Sequence, residues 1–494
     1  MNPRPGAIYT AAQVRELDRR AIEDCGIPAY ELMTRAGHAV ADALRELWPA
    51  ARRVAVLAGP GKNGGDGYVF ARVARARGLD VHVLALTPSD SLQGDARRAF
   101  EDFHAAGGRT QPFAASVVAT TDCDVIVDAI FGIGLSRAAS GAFAAAIDAA
   151  NASRRPILAV DLPSGLDADS GKAHGSTIRA HATVSFIGRK LGCYLGEGPD
   201  HAGLRLFADL DVPTQACAKA PATAQLIGAA SVRAALPPRL RSAHKGRHGH
   251  VLVIGGGPGM GGAARLASEA ALRVGAGLVS VVAHPRSSAA LIGRPELMCT
   301  MVEEPGELAP LLERASIVAI GPGLGQDRWG RALLQAAFSS GLPAVVDADA
   351  LNLLAQQAQR RDDWVLTPHP GEAARLLGSE SAVVQADRLG AARELQRRYG
   401  GTVVLKGAAT IVQSAGAMPA ICDRGNPGMA VAGMGDVLTG VVAGIAAQCR
   451  DLALAAEAGV FVHAEAGDRA ARSGERGLLA GDVLGELRGC VNPP

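Results

Sequence analysis

Two α/β domains in tandem are predicted, each a mainly parallel sheet with helices packed on it. Three observations lead there. At 494 residues the chain exceeds what one hydrophobic core usually organises. Short β-branched runs alternate with Ala-rich helical patterns, the signature of βα units, and this alternation occurs twice. Between the two series, residues 212 to 224 are rich in Pro, Ala and Thr without periodicity, which reads as a linker. The expected boundaries are 1–211, 212–224 and 225–494.

The first domain opens on Thr10-Ala-Ala-Gln13, a capping box preceding a helix that Gly26 and Pro28 should end. Strands are predicted at Val54 to Leu57, Val81 to Leu86, Val125 to Val127, Ile157 to Val160 and Val184 to Ile187. A helix is expected over Tyr68 to Arg77. After the linker, strands are predicted at Val251 to Ile254, Leu278 to Val282, Ile317 to Ile320, Ala344 to Val346, Trp364 to Leu366 and Val403 to Leu405. An apolar helix is expected over Val437 to Ala447.

Composition removes several function classes. Lys plus Arg number 50 against 48 Asp plus Glu, so the charge of +2 gives no reason to expect nucleic acid or an anionic membrane as partner. Eight cysteines lie scattered without a CxxC pair, which fits neither a zinc site nor a disulfide framework and suits a reducing cytoplasm. The opening MNPRPGAIYT has no apolar signal core, and Asp436 interrupts the most apolar late stretch, so no membrane span is expected.

In the first half the informative segment is Gly59-Pro-Gly-Lys-Asn-Gly-Gly-Asp-Gly67, between a predicted strand and a predicted helix. Backbone amides in such a loop can approach a phosphate at a helix N-terminus, where the helix dipole also favours an anion. No Gly-Lys-Ser/Thr follows, so it is not a P-loop. A tight turn in a fold without nucleotide is the plainer alternative. Asp128 and Asp161 stand at predicted strand ends, where ligands collect in open α/β sheets.

Lys62-Asn-Gly-Gly-Asp-Gly67, Asp128-Ala-Ile-Phe-Gly132 and Asp161-Leu-Pro-Ser-Gly-Leu-Asp167 together resemble the NAD(P)H-hydrate epimerase family, which implies a Rossmann-like fold. The resemblance implies that Asn63, Asp128 and Ser164 hold a potassium ion, for which hard oxygen donors are suited. It implies that Lys62, Asn63, Gly64, Gly65 and Asp66, with Gly132, Ile133, Gly134, Leu135, Ser136, Arg137 and Ala138, hold the dinucleotide. Lys62 stands where the family more often has Asn. Asp161 would contact the substrate near the reacting carbon as acid or base. Lys190, in Gly-Arg-Lys-Leu-Gly, is a candidate partner for it; a surface charge is the alternative.

The second half carries His244-Lys-Gly-Arg-His-Gly-His250 and a further glycine loop, Gly255 to Gly262. The histidines lack the second cluster that zinc would need, so polar or loop roles are expected. Asn426-Pro-Gly-Met-Ala-Val-Ala-Gly-Met-Gly-Asp-Val-Leu-Thr-Gly440 is more telling. Glycines there bracket Asp436 at the start of an apolar helix, so free amides and a carboxylate share one helix end. Amides can hold a transferring phosphoryl group while Asp436 takes the proton of an attacking hydroxyl. A capping aspartate is the alternative.

With Gly321-Pro-Gly-Leu-Gly325, Thr367-Pro-His-Pro-Gly-Glu372 and Lys406-Gly-Ala-Ala-Thr410, this half resembles the ADP-dependent NAD(P)H-hydrate dehydratase branch of the ribokinase-like fold. The resemblance implies phosphorylation of the hydrate's ring hydroxyl by ADP, elimination, and release of AMP and phosphate. It makes Asp436 the base. Lys406, Gly407, Ala408, Ala409, Thr410 and Gly435 would hold ADP, Ala263, Gly323 and His369 would line the substrate pocket, and Mg²⁺ would bridge the phosphates. The expected partners are NAD(P)H hydrates and ADP, and a homo-oligomer is expected. Two other readings stay open: a vitamin-precursor kinase with the same fold, and a nucleotide sensor without turnover.

Overall fold

The computed structural model describes residues 6–115, 122–135, 137–214 and 220–492. Ser136, Cys217 and residues 215–219 of the expected linker lie outside these. The chain divides into two compact units, Met1–Gln225 and Leu226–Pro494.

The first unit is built on a seven-stranded sheet in the order Thr110–Pro112, Asp80–Ala85, Arg53–Ala58, Val125–Ala129, Ile157–Val160, Ala182–Phe186, Leu204–Ala208. Its pairings are parallel. The order reverses direction between Arg53–Ala58 and Val125–Ala129, which is the switch point where such sheets receive ligands. Thr10 caps the helix Ala11–Glu23 in a complete capping box.

Two expectations need correcting here. The helix expected from Tyr68 begins six residues earlier and spans Lys62–Ala76, so only Gly59 to Gly61 form the loop. The glycines of this stretch serve close packing. A Cβ at Gly64 would run into the Gly59 carbonyl, one at Gly65 into Met33, and one at Gly67 into Ala129. The residues read as a linker are also not free. Val212 and Ala220 are buried in the core of the first unit. Thr223 N donates to the Ile8 carbonyl, Gln13 Nε2 donates to the Pro221 carbonyl, and Ala224 and Gln225 pair antiparallel with the strand Ala7–Tyr9.

The second unit's sheet runs Met298–Met301, Leu278–Ala283, His250–Ile254, Ile317–Ile320, Ala344–Val346, Trp364–Leu366, Thr402–Leu405, Thr410–Ser414, Ala420–Cys422. The first seven pair in parallel and the last two form an antiparallel extension. Its central helix, Met434–Cys449, is buried along nearly its whole length because Val, Ile, Ala and Gly face every direction. A Cβ at Gly440 would run into the Ala267 carbonyl, so this glycine sets the close approach to the helix Gly261–Arg273. Among the described residues no helix is long and apolar enough to cross a membrane.

Candidate functional site

The first unit holds a cavity of about 860 Å³ at its switch point. Lys62, Asn63 and Asp66 reach it from the helix Lys62–Ala76, and Gly132 to Leu135, Arg137 and Ala138 from the loop after Val125–Ala129. Arg15 Nη2 steadies that loop by donating to the Ile133 carbonyl at 3.0 Å. Gly64 and Gly65, expected to hold the dinucleotide, are buried rather than on the cavity wall, and the Gly65 amide is already spent on the Gly61 carbonyl. Their small size is what the close packing beside the cavity requires.

Beside the cavity Asn63, Asp128 and Ser164 converge through the Phe131 backbone. Asn63 Nδ2 donates to the Phe131 carbonyl at 2.8 Å, Phe131 N donates to Ser164 Oγ at 2.8 Å, and Ser164 Oγ donates to Asp128 Oδ1 at 2.6 Å. Asp128 is fully buried, and burial pushes its carboxyl up to about 6 against the opposing bonds from Ser164 and Ile130. Buried oxygen donors of this kind suit a hard monovalent cation. Among the described residues no group of three His, Cys, Asp or Glu could hold a metal.

Asp161 follows the strand Ile157–Val160 in a left-handed conformation, φ 68°, that a non-glycine residue adopts only under constraint. The constraint is visible: Asp161 N donates to the Val184 carbonyl, Ser185 Oγ to the Asp161 carbonyl at 2.9 Å, and Phe186 N to Oδ1 at 3.1 Å. Lys190 ion-pairs with the same Oδ1 and donates to the Phe186 carbonyl at 2.8 Å. Its side chain is 1% exposed, so the surface-charge reading of Lys190 is wrong. The sequence reading missed Asp18, which reaches the same cavity from the helix Ala11–Glu23. A helical aspartate one turn past Val14 shows nothing unusual in sequence.

In the second unit Asp436 lies in the first turn of the helix Met434–Cys449. It is not the cap. Gly433, at φ 90°, occupies that position without any side-chain bond. Burial pushes the Asp436 carboxyl up to about 7, helped by the carboxylates of Asp347, Asp349 and Glu372 and opposed by Lys406. Lys406 Nζ donates to Asp347 Oδ1 at 2.6 Å and stands 3.8 Å from Glu372 Oε2, while Thr439 Oγ1 donates to Asp347 Oδ2 at 2.8 Å. Burial opposes the charge on Lys406, yet these carboxylates hold its ammonium above the ordinary lysine range. The Lys406 side chain therefore belongs to this cluster, and the exposed Gly407 and Ala408 are what the segment presents to solvent.

Arg388 braces the same segment from beneath, its Nη2 donating to the carbonyls of Leu405, Lys406 and Ala409 at 3.2, 3.2 and 3.4 Å. Gly435 leaves the cluster open, since a Cβ there would stand 3.3 Å from Lys406 Nζ. Ala263 and Gly323 are neighbours across the loop ends. His369 caps the helix Pro370–Leu377, its Nδ1 accepting from Gly371 N at 2.9 Å, and its Nε2 stands 3.4 Å from Glu372 Oε1. Asp347 was missed by sequence, although its place at the carboxyl end of Ala344–Val346 is where a ligand group belongs.

Two family models match the chain: the YjeF-related protein N-terminus over residues 29–192 and NAD(P)H-hydrate dehydratase over residues 251–488. The chain is 46% identical over 488 residues to the bifunctional NAD(P)H-hydrate repair enzyme Nnr of Coxiella burnetii, covering 98% of this chain and 99% of that one. It is 43% identical to the enzyme of the same name from Escherichia coli, covering 99% and 95%. Among solved structures, a ribokinase-like superfamily protein of Enterococcus faecalis aligns over 54% of this chain and 94% of its own, at 29% identity and a TM-score of 0.51.

Proposed function

The chain belongs to the bifunctional NAD(P)H-hydrate repair enzyme family, and from that premise we propose how its two sites divide the work. The first unit exchanges the R and S hydrates, and the second dehydrates the S form back to NAD(P)H. Asp436 carries the second assignment: a carboxyl in the first turn of a helix, unused as a cap and raised by burial, is a base in waiting.

In the second unit Asp436 takes the proton of the hydrate's hydroxyl as that oxygen attacks the terminal phosphoryl group of ADP. The free amides at the start of its helix, Gly435 among them, face the charge that develops there. AMP leaves. The phosphorylated oxygen then departs as phosphate when the ring nitrogen donates its electron pair, and loss of the neighbouring proton restores the double bond. Lys406 and Asp347 orient the base, while Gly407 to Thr410 hold the adenine nucleotide and Ala263, Gly323 and His369 line the substrate pocket. Mg²⁺ would neutralise the phosphates, bound mainly through their oxygens with few protein carboxylates, as is usual for this ion.

In the first unit Asp161, fixed by Lys190, serves as the proton-transfer group beside the reacting carbon. A potassium ion held by Asn63, Asp128 and Ser164 would favour an anionic phosphate beside the helix start. The test is purified protein mixed with hydrated NADH. Recovery of NADH with ADP, and equilibration of the two epimers without it, support the division. No recovery with either ADP or ATP removes it.

A further inference from the structure

The mechanism above gives one carboxylate, Asp161, to a reaction that must both release and regain a hydroxyl. Protonating the enamine double bond of a dihydronicotinamide leaves the positive charge on the carbon next to nitrogen, so hydration puts the hydroxyl on that carbon. Inverting it therefore needs an acid that turns the hydroxyl into water and a base that takes a proton from the water coming back.

We propose that Asp18 is the acid of the epimerisation, donating its carboxyl proton to the departing hydroxyl in the cavity where Asp161 waits as the base. This rests on the epimerase reading of the first unit. Asp18 and Asp161 line one cavity from different elements, the helix Ala11–Glu23 and the turn after Ile157–Val160. Asp161 is committed to Lys190 by an ion pair, whereas the Asp18 carboxyl forms no hydrogen bond or ion pair with any described residue. Asp161, paired with an ammonium, and Asp18, without a protein partner, are two of the four aspartates lining this cavity, and such a pairing separates acid from base.

The charged groups around Asp18 agree. Burial raises its carboxyl to about 6, the Lys190 and Lys62 ammonium groups oppose that rise, and Asp161 adds to it. Asp66, on the same cavity, is itself pushed well above the ordinary range by burial and by Asp161 and Asp18. Arg15, on the same helix, also lines the cavity.

The steps balance. Asp18 gives its proton to the hydroxyl as the carbon–oxygen bond breaks, the ring nitrogen's electron pair forms the carbon–nitrogen double bond, and water is freed. Water adds to the other face of the same carbon, the electron pair returns to nitrogen, and Asp161 takes the extra proton. Solvent exchange carries one proton from Asp161 back to Asp18, so no proton or water is gained or lost.

The experiment follows exchange of the separated R and S hydrates of NADH by the full chain without ADP, from pH 5 to 9, for wild type, Asp18→Asn, Asp18→Glu and Asp161→Asn. Wild-type kcat/KM should fall as pH rises above about 6, where Asp18 loses its proton. Asp18→Asn should lose about a hundredfold or more and lose that falling limb, and Asp18→Glu should keep the limb and regain at least roughly tenfold over Asn. The melting transition of the first unit, followed by circular dichroism, reports whether each variant is folded, and ADP-dependent dehydration by the other unit normalises for intact chain. If Asp18→Asn exchanges the epimers at the wild-type rate, or slowly but with the falling limb intact, the inference is overturned while the epimerase reading stands. Should Asp18→Asn unfold, an Asp18→Glu chain without the limb overturns it equally. If wild type does not exchange the epimers, the epimerase reading falls and takes the inference with it.

Discussion

Lys406 Nζ sits 2.6 Å from Oδ1 of Asp347, with Asp347 buried and Lys406 partly so, and both act on the Asp436 carboxyl. This is the electrostatic control on the proposed base. Lys406 pulls the Asp436 carboxyl down, while Asp347, Asp349 and Glu372 push it up.

A pH dependence follows with a definite sign. Asp436 must be ionised to accept a proton, and its carboxyl titrates near 7, so dehydration by wild type should rise with pH through about 7 and then level off. Lys406→Met removes the opposing ammonium and should move that limb to higher pH. A kcat/KM profile over pH 5 to 9 checks both, and an unshifted limb in the variant contradicts the role given to Lys406.

Potassium exchange tests the oxygen cluster of Asn63, Asp128 and Ser164. Epimerisation should drop after exchange into a bulky organic cation and return when potassium is added back. An unchanged rate with residual potassium measured as negligible removes the ion from the mechanism.

The domain boundary makes a stability prediction. A first unit ending at Asp211 lacks the buried Val212 and Ala220 and the bonds at Pro221 and Thr223, whereas one ending at Gln225 keeps them. The shorter piece should be less stable by about 2 kcal/mol or more, which is a fall of roughly 4 to 8 °C in melting temperature. Equal melting of the two pieces would contradict the packing of this segment.

Gly440→Ala should destabilise the second unit by about 1 to 3 kcal/mol or more, because the added methyl meets the Ala267 backbone, which cannot yield as a side chain would. Chemical denaturation of the isolated second unit measures it; a change below about 0.5 kcal/mol counts against the close helix approach.

The central strands were legible in sequence because they are buried on both faces. Ile157–Val160, Ile317–Ile320, Ala344–Val346 and Trp364–Leu366 are continuous apolar runs bounded by turn residues, and they form where expected. Leu204–Ala208 and Thr110–Pro112 were not, since edge strands are half exposed and one carries Pro112. The start of Lys62–Ala76 was misplaced because glycines argue for a loop until the neighbours that demand them are known. Motifs pointed to Asp161, Asp128 and Asp436, but Asp18, Asp347 and the burial of Lys190 depend on elements distant in the chain meeting in space.

The measurement closest to the central claim is Asp436→Asn, assayed for both activities on one preparation. Asn keeps the shape and can cap a helix as well as Asp, but cannot accept the hydroxyl proton. The Asp436 side chain makes no capping bond in any case. The variant should melt like wild type, exchange R and S hydrates at the wild-type rate, and lose about a hundredfold to ten-thousandfold in ADP-dependent dehydration. Near-normal dehydration by a folded Asp436→Asn chain would contradict the account and move the base elsewhere in the cluster.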